Sequence, residues 1–324
     1  MESLLMVKEY IARFYTRFEA YIVPVLKFFA MLFALIFINS NVGFMDKLKN
    51  PAIVLILSLV CSFLPANVIV LVAGLVIVGH VYALSLECAV VVLFTFIIMY
   101  ALYFRFTPRD AIAVLLTPVC FAIKLPYVMA FSMGLVGNPL SALSVGCGTI
   151  VYYILSYLKD NQKTLESDTA SSLDVESALA GFKTVIDGLL KNEDMIVMVV
   201  GLAVIIVLVY VIRRLRINYS WFIAIGAGFA VGFIALLVAN SALDGDVGMG
   251  GAFVSMLISA LLCLVLQFFV FNVDYSRAEY VQFEDDEYYY YVKAVPKVTI
   301  GSAPRRARRN NSRNWDEEDE EYEY

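Results

Sequence analysis

Charged residues are scarce in this chain. Of its 324 residues, 16% are charged and 61% are hydrophobic, whereas a typical soluble domain has about 25% charged residues. This balance excludes an ordinary water-soluble domain and predicts a protein that resides in a lipid bilayer. The net charge of −5 comes mostly from one loop and from the last residues, so it says little about a partner.

Histidine is nearly absent, with His80 as the single copy. The sequence contains no nucleotide-binding loop, metal-binding helix, nucleophile elbow or paired carboxylates. All five cysteines lie within apolar segments, where a disulfide framework or a zinc site has no loop in which to form. We therefore expect no enzymatic activity, no cofactor, no metal site and no nucleic-acid partner, and we interpret the cysteines as small packing residues.

Six apolar runs are each long enough to cross roughly 30 Å of hydrocarbon as an α-helix. They lie at residues 21–39, 87–104, 140–158, 195–212, 221–240 and 251–272. These runs divide the chain into a cytoplasmic N-terminal segment (1–20), a membrane domain (21–158), an extracytoplasmic loop (159–194), a three-helix membrane region (195–272) and a cytoplasmic tail (273–324). The first run has no cleavage pattern after it, so we interpret it as a retained helix.

Lysine and arginine concentrate beside alternate ends of these runs. Basic clusters precede the first run and follow the second, the fourth and the last. Of the intervening loops, 159–194 has more acidic than basic residues and 240–250 has no lysine or arginine. Because basic residues favour the cytoplasmic side, we predict a multi-pass protein of the bacterial cell membrane with both termini in the cytoplasm.

Two further apolar segments, 52–64 and 111–125, are too short to cross the bilayer squarely. Each is followed by a proline, Pro65 or Pro126, which ends a helix because it lacks a backbone N–H. We interpret each segment as part of a re-entrant helical hairpin, or as one of two tilted short helices. Such backbone at membrane depth must be buried in protein or line a cavity, because lipid offers no hydrogen bonds.

The two segments belong to a repeat. Residues 52–92 and 111–151 align at a shift of 59, and identities occur at both ends of the alignment, including Cys61 with Cys120. Each copy holds one hairpin and one crossing helix, an odd number of crossings, so the second copy is expected to lie upside down relative to the first. Inverted repeats of this kind form the midplane sites of many secondary transporters. The alternative is that two hairpins converged on similar apolar sequences.

One stretch, LPANVIVLVAGLVIVGH at 64–80, is followed by a crossing helix that ends in YFRF. The second hairpin contains Pro118 and is followed by GLVGNPLSALSVGCGTIVYYIL. Residues 50–158 thereby resemble the bacterial DedA and eukaryotic VTT-domain (SNARE-associated) membrane proteins. The resemblance implies an inverted repeat of re-entrant hairpins that moves lipid-linked phosphates or phospholipids across the bilayer, coupled to protons in bacteria. The first hairpin lacks the family's acidic residues, and Lys124 is the only cation in the second.

Lys124 carries the strongest chemical signal. The 59-residue register sets it opposite Pro65, at the turn of the second hairpin. A lysine at membrane depth is costly unless it reaches the head groups, faces water or meets an anion. We expect Lys124, Arg105 and Arg109 to bind the phosphate of a lipid substrate. The alternative is that Lys124 only reaches the head groups and that the two arginines only anchor the inner face.

Three further residues are candidates for proton coupling: His80, Glu87 and Asp110. Histidine titrates near neutral pH and can relay protons, although a histidine at a helix end is also a common interfacial residue. Glu87 opens a crossing helix, where its charge complements the helix dipole. Asp110 neighbours Arg109 and has anchoring of the inner face as its alternative role.

The remaining segments carry structural predictions. Small residues four apart in GAGFAVGF (226–233) predict close helix packing, either within the chain or between copies of it, and the last three runs lack obvious polar chemistry. Residues 173–190 predict an amphipathic helix on the membrane or over the site. Residues 279–300 suit a β-hairpin, and the basic and acidic stretches of 304–324 are expected to be disordered.

The sequence thus predicts an all-α polytopic membrane protein with six crossing helices and two re-entrant or broken hairpins in an inverted repeat. We expect it to transport a lipid-linked phosphate or another amphipathic anion. Two alternatives stay open: a permease subunit that needs a separate ATPase, and a scaffold of envelope assembly that acts through its tail. Membrane lipids are the expected partners, with a cytosolic protein at the tail and a second copy of this chain as further candidates.

Overall fold

The computed structural model describes residues 2–162, 192–242, 249–271, 279–284 and 288–294. The helices are α1 Glu2–Val42, α2 Asp46–Lys49, α3 Pro51–Ser62, α4 Ala66–Leu84, α5 Leu86–Phe106, α6 Ala111–Ala122, α7 Tyr127–Val136, α8 Ser141–Asp160, α9 Glu193–Arg213, α10 Ser220–Ala242 and α11 Met249–Val270. A 3₁₀ turn, Pro108–Asp110, joins α5 to α6. The predicted helix at 173–190 and the predicted disorder of 304–324 lie outside the described residues.

The chain forms two compact units. One consists of Met1–Arg17 and Asn272–Tyr324, and the other of Phe18–Phe271. The boundary falls inside α1, at Phe18, whose backbone is not helical (φ −115°, ψ 18°). The second unit contains the apolar helices, with α1 from Phe18 onward. From here on, the membrane domain means this whole unit, which includes both membrane regions of the sequence analysis, 21–158 and 195–272.

Seven helices of the described residues are long and apolar enough to cross a membrane: α1, α4, α5, α8, α9, α10 and α11. The predicted number was six. The additional helix is α4, which the sequence suggested was only the return arm of the first hairpin. Its 19 residues extend roughly 28 Å at 1.5 Å per residue, close to the thickness of the hydrocarbon layer.

Two hydrogen bonds bring together four helix ends at one end of the membrane domain. Ser141, which begins α8, donates to Oδ2 of Asp110 in the turn before α6 (2.6 Å). Arg213, which ends α9, donates to the carbonyl oxygen of Gly137 just after α7 (2.6 Å). We call this the Asp110 end.

The opposite end is fixed in the same way. Lys159 near the end of α8 donates to Oδ1 of Asn41 near the end of α1 (3.4 Å). The backbone N–H of Met45 donates to Nδ1 of His80 near the end of α4 (3.2 Å). We call this the His80 end.

The two hairpins enter the domain from opposite ends. The first hairpin, α3 and α4, begins after α2 at the His80 end, turns at Leu64 and Pro65, and returns to His80. The second hairpin, α6 and α7, begins at Asp110, turns at Lys124 and returns to the Asp110 end. Their first arms have 12 residues each, but the return arms have 19 and 10, so the hairpins are not equivalent in length.

The turns correct the predicted register. In the first hairpin Leu64 and Pro65 precede the return arm, and in the second Leu125 and Pro126 do so. The equivalent prolines are therefore 61 residues apart, not 59. The first arms begin 60 residues apart and the second turn is one residue longer than the first, so Lys124 does not lie opposite Pro65.

Glycines set the packing of the second half of the domain. Gly228 and Gly232 of α10 both pack against α9, where an added Cβ would lie within 3.0 Å of a side chain. Gly226 has no heavy atom within 4 Å of the Cβ position, and Ala230 is exposed. Close packing within the chain is thus confirmed for Gly228 and Gly232, whereas Gly226 and Ala230 face away from the neighbouring helices of this chain.

A two-stranded antiparallel hairpin follows the last helix. Its strands are β1 Glu279–Glu284 and β2 Tyr289–Ala294. The rings of Phe283 and Tyr290, directly opposite in the register, stack with their centroids 4.9 Å apart. This confirms the hairpin that the alternating aromatic and β-branched residues predict, and it is the exception to the all-helical expectation.

Candidate functional site

An apolar cavity of about 370 Å³ opens between α1, α4, α5, α6 and α8, within the range of about 300–1,000 Å³ usual for ligand pockets. The return arm of the first hairpin contributes Ala73 and Gly74 to its wall, and the first arm of the second hairpin contributes Leu115 and Pro118. Among the lining residues, Tyr100 has the only hydroxyl group. The lining therefore suits a hydrocarbon chain.

A close contact between α6 and α8 fixes one wall of the cavity. Pro118 lies inside α6 and has no N–H to donate to the carbonyl of Val114, one turn earlier. Gly148 of α8 faces this carbonyl: an added Cβ would lie 2.8 Å from the Val114 oxygen and 2.6 Å from Cβ of Thr117. Only a glycine permits this approach.

Hydrogen-bonded polar side chains lie toward the Asp110 end. The buried Tyr103 hydroxyl of α5 bonds to Oδ1 of Asn67 of α4. One turn later on α5, Oγ1 of Thr107 lies 2.6 Å from Oγ of Ser144 of α8. These two pairs tie α5 to both neighbouring helices, and we call the four residues the polar cluster.

Asp110 extends the polar cluster to the beginning of α8. Ser141 donates to the Asp110 carboxylate and also accepts the backbone N–H of Asn138 (3.0 Å). The carboxylate thus holds the loop between α7 and α8 in place. Because Asp110 remains partly exposed, it can also meet a ligand at this end.

The cavity and the polar cluster adjoin. Tyr103 packs in one hydrophobic cluster with Val70, Met99 and Tyr100, and these three neighbours line the cavity. The Tyr100 and Tyr103 rings are in edge contact, with centroids 5.9 Å apart. The apolar cavity and the polar cluster are therefore neighbours that share Val70, Met99 and Tyr100, although the polar side chains themselves are not part of the cavity lining.

The predicted substrate-binding residues do not all come together. Arg105 in the last turn of α5 and Arg109 in the 3₁₀ turn are both exposed at the Asp110 end. Lys124 is separated from them by α6, roughly 18 Å of helix. Near Lys124, the ring of Phe121 stacks on Tyr152 of α8 (4.6 Å), beyond the middle of that helix. Lys124 therefore lies on the side of the His80 end.

The backbone at Lys124 is unusual, with φ at 59°. Its N–H bonds to the carbonyl of Phe121 (2.9 Å), and the N–H of Leu125 bonds to that of Cys120 (2.8 Å). This is the Schellman ending of a helix, in which glycine normally occupies the left-handed position. The Lys124 side chain is exposed.

The candidates for proton coupling are also divided between the two ends. His80 is fully buried, and its Nδ1 accepts the N–H of Met45. Its Nε2 is buried and has no hydrogen-bond partner among the described residues. Glu87 lies in the first turn of α5, with Ser85 at the N-cap, as the helix-dipole interpretation predicts. Asp110 is at the opposite end, so the three residues form no common relay.

Sequence analysis missed Lys27. Its Nζ donates to the carbonyl oxygen of Leu64 at the turn of the first hairpin (3.0 Å). Pro65 follows this carbonyl, so the turn has few backbone donors of its own. A lysine in the middle of an apolar run was the available signal, because intramembrane charges normally have a specific partner.

Sequence analysis also missed a polar stripe on α11. Ser255, Ser259, Cys263 and Gln267 are all buried, and Cys263 lies 3.8 Å from the carbonyl oxygen of Val128 at the start of α7. The four-residue spacing was the signal, since it places all four on one helix face. Sequence analysis found no obvious polar chemistry in the last three runs, and this buried stripe is the polar feature of α11 that it overlooked.

Among the described residues, no three histidine, cysteine or acidic side chains lie close enough together to hold a metal ion. None of the five cysteines forms a disulfide. Comparison of the chain with family models, with curated proteins and with solved structures gives no match. The function must therefore be inferred from the cavity, the polar cluster and the two hairpins.

Proposed function

We propose that this protein is a multi-pass transporter that moves an amphipathic anion, such as a lipid-linked phosphate, across the membrane. The observation that supports it is the apolar cavity between arms of the two hairpins, with the polar cluster at one end. One hydrocarbon chain of the substrate would occupy the cavity, and its head group would lie at the Asp110 end beside Arg105 and Arg109.

The head group must supply the selectivity. A hydrocarbon chain of the substrate that moves from lipid into the apolar cavity gains little free energy, because lipid tails are as apolar as the cavity wall. The substrate's phosphate, by contrast, would exchange water for charged partners at the exposed side chains of Arg105 and Arg109. Charge-assisted hydrogen bonds of this kind are about twice as strong as neutral ones.

The hairpins supply a path for the head group. Their turns bring non-helical backbone into the domain from opposite ends, as in transporters built from inverted repeats. In this proposal the two hairpins are such a repeat, related to the DedA proteins, and Lys124 is the phosphate contact nearest the His80 end. The Asp110 end, with its arginines, is the cytoplasmic one, and the membrane is that of a bacterium.

The test uses the purified full-length protein in liposomes and measures the transbilayer movement of a fluorescent phospholipid and of a polyprenyl phosphate. Ala101→Phe is the informative variant, because Ala101 lines the cavity and is exposed, so a larger side chain there fills the cavity without displacing the core. Ala230→Phe is the matched control, an exposed alanine of α10 that is outside the cavity lining.

We expect movement without ATP, a reduction of at least tenfold in Ala101→Phe and no change in Ala230→Phe, the tenfold corresponding to about 1.4 kcal/mol. Flux that is equal in protein-free and protein-containing liposomes would contradict the proposal. So would equal flux in the two phenylalanine variants. Movement that requires an added ATPase would instead favour the permease-subunit alternative.

A further inference from the structure

The first part of α1 has two distinct faces. One is apolar, with residues at spacings of three and four as in an amphipathic helix: Val7, Tyr10, Ile11, Phe14 and Tyr15. Exposure on this face is high for large apolar side chains, with 52% for Val7 and 72% for Tyr10. A face of this kind needs an apolar environment other than water.

The opposite face is polar and basic. Arg13 is exposed, Glu9 pairs with Arg13, and the Thr16 hydroxyl bonds back to the carbonyl of Ala12 (3.0 Å). Arg17 is also exposed, and because it follows Tyr10 by seven residues it lies at the border of the apolar face. The Arg13 side chain remains 74% exposed in spite of this pair. Apart from Lys8, which is buried, residues 6–17 contain two arginines and one glutamate, so their net charge is positive.

Helix α1 is too long to be one membrane span. Its 41 residues extend about 60 Å, twice the hydrocarbon thickness of about 30 Å. The apolar run at 21–39 is sufficient to cross, and the backbone is non-helical at Phe18, just before this run. The run at 21–39 can therefore cross the membrane without residues 2–17.

We propose that residues 2–17 form an interfacial helix that lies in the head-group layer and binds anionic phospholipid. The apolar face would enter the boundary between head groups and acyl chains, where such helices are buried by about 5–10 Å. Tyr10 and Tyr15 suit this layer, because their rings are apolar and their hydroxyl groups reach water. Arg13 and Arg17 would contact the lipid phosphates. This proposal does not depend on transport.

The test places a tryptophan on each face of the full-length protein in liposomes, in a Trp221→Phe/Trp315→Phe background. Tyr10→Trp reports the apolar face and Thr16→Trp the polar face, and both positions are exposed, so neither change disturbs the core. Quenching is measured with phosphatidylcholines brominated either near the ester or near the chain end, with and without phosphatidylglycerol.

We expect strong quenching of Tyr10→Trp by bromine near the ester, and weak quenching of Thr16→Trp by either lipid. Equal quenching of the two variants would overturn the proposal. An unquenched Tyr10→Trp would do so as well, since its face would then meet water or protein. Strongest quenching by bromine at the chain end would also overturn it, because the segment would then cross the bilayer.

Charge is tested in the same liposomes. Two changes remove the attraction between the arginines and anionic lipid: leaving out phosphatidylglycerol, or replacing both arginines in Arg13→Gln/Arg17→Gln. In either case the ratio of membrane-bound to detached helix is expected to fall about fivefold for each arginine. Tyr10→Trp would then be quenched less. Quenching that is indifferent to both changes would overturn the anionic-lipid part of the proposal.

Discussion

Replacing Gly148 with alanine is expected to separate α6 from α8. The new Cβ would lie 2.6 Å from Cβ of Thr117 and 2.8 Å from the carbonyl oxygen of Val114. Neither neighbour can easily move. The oxygen belongs to the backbone, and the Thr117 side chain is held by its hydrogen bond to the carbonyl of Ala113 (2.6 Å).

Two opposing contributions set the expected magnitude. Overpacking of a well-packed core costs about 1–3 kcal/mol, whereas alanine in place of glycine favours a helix by about 1 kcal/mol. Because the contacts are as short as 2.6 and 2.8 Å, the cost should lie in the upper part of its range, about 2–3 kcal/mol. Gly148→Ala is therefore expected to lower the free energy of unfolding by about 1–2 kcal/mol. Gly146 offers a matched control in the same helix, because its added Cβ would lie 3.5 Å from the nearest atom, in Val199. Gly146→Ala is expected to leave stability unchanged or to raise it.

Both variants can be unfolded reversibly in mixed micelles by increasing the fraction of dodecyl sulfate, with far-ultraviolet circular dichroism as the readout. Flux in liposomes is measured in parallel, because a shift of α6 changes the wall of the cavity. The reasoning is refuted if Gly148→Ala is as stable as the unmodified protein. It is also refuted if Gly146→Ala is destabilised equally, since the effect would then not depend on the contact with Thr117 and Val114.

Two further predictions concern the lysines at the hairpin turns and use the same unfolding assay. Lys124→Gly is expected to raise the free energy of unfolding by about 1 kcal/mol, because glycine adopts the left-handed backbone without strain. Lys124→Ala is the control, since it removes the charge and keeps the strain. Equal stability of the two variants would contradict the prediction. Lys27→Met is expected to lower stability by about 1–3 kcal/mol, because the Leu64 carbonyl loses its bond in an apolar setting. Lys27→Arg, which can keep a donor there, should stay closer to the unmodified protein, and a Lys27→Met variant of unchanged stability would show that the bond contributes nothing.

The class of protein and the two hairpins could be predicted because they depend on local properties. Run length distinguishes helices that cross from those that do not, and prolines after residues 64 and 125 mark the turns. The status of α4 could not be predicted in this way. Its length is compatible with a crossing helix or with a long return arm. The choice depends on how deep the turn at Leu64 lies, and this turn is held beside α1 by the hydrogen bond from Lys27 to Leu64.

The polar cluster could not be predicted for a different reason. Asn67, Tyr103, Thr107 and Ser144 come from three helices, and each is an ordinary residue for a membrane helix. No spacing in the sequence relates them. The sequence-based prediction of the site relied on charged residues instead. It therefore grouped Lys124 with Arg105, although α6 separates the two by roughly 18 Å.

The two hairpin turns use lysine differently, and this difference decides which lysine is available to a ligand. At the first turn, the Lys27 amine donates a hydrogen bond to the Leu64 carbonyl and thereby satisfies a backbone acceptor of that turn. At the second turn, the backbone N–H groups of Lys124 and Leu125 bond to the carbonyls of the preceding helix. The exposed Lys124 amine is therefore not needed to complete this turn. Of the two, Lys124 is the one whose charge can meet a phosphate, and transport that survives Lys124→Gly but fails in Lys27→Met would reverse this assignment.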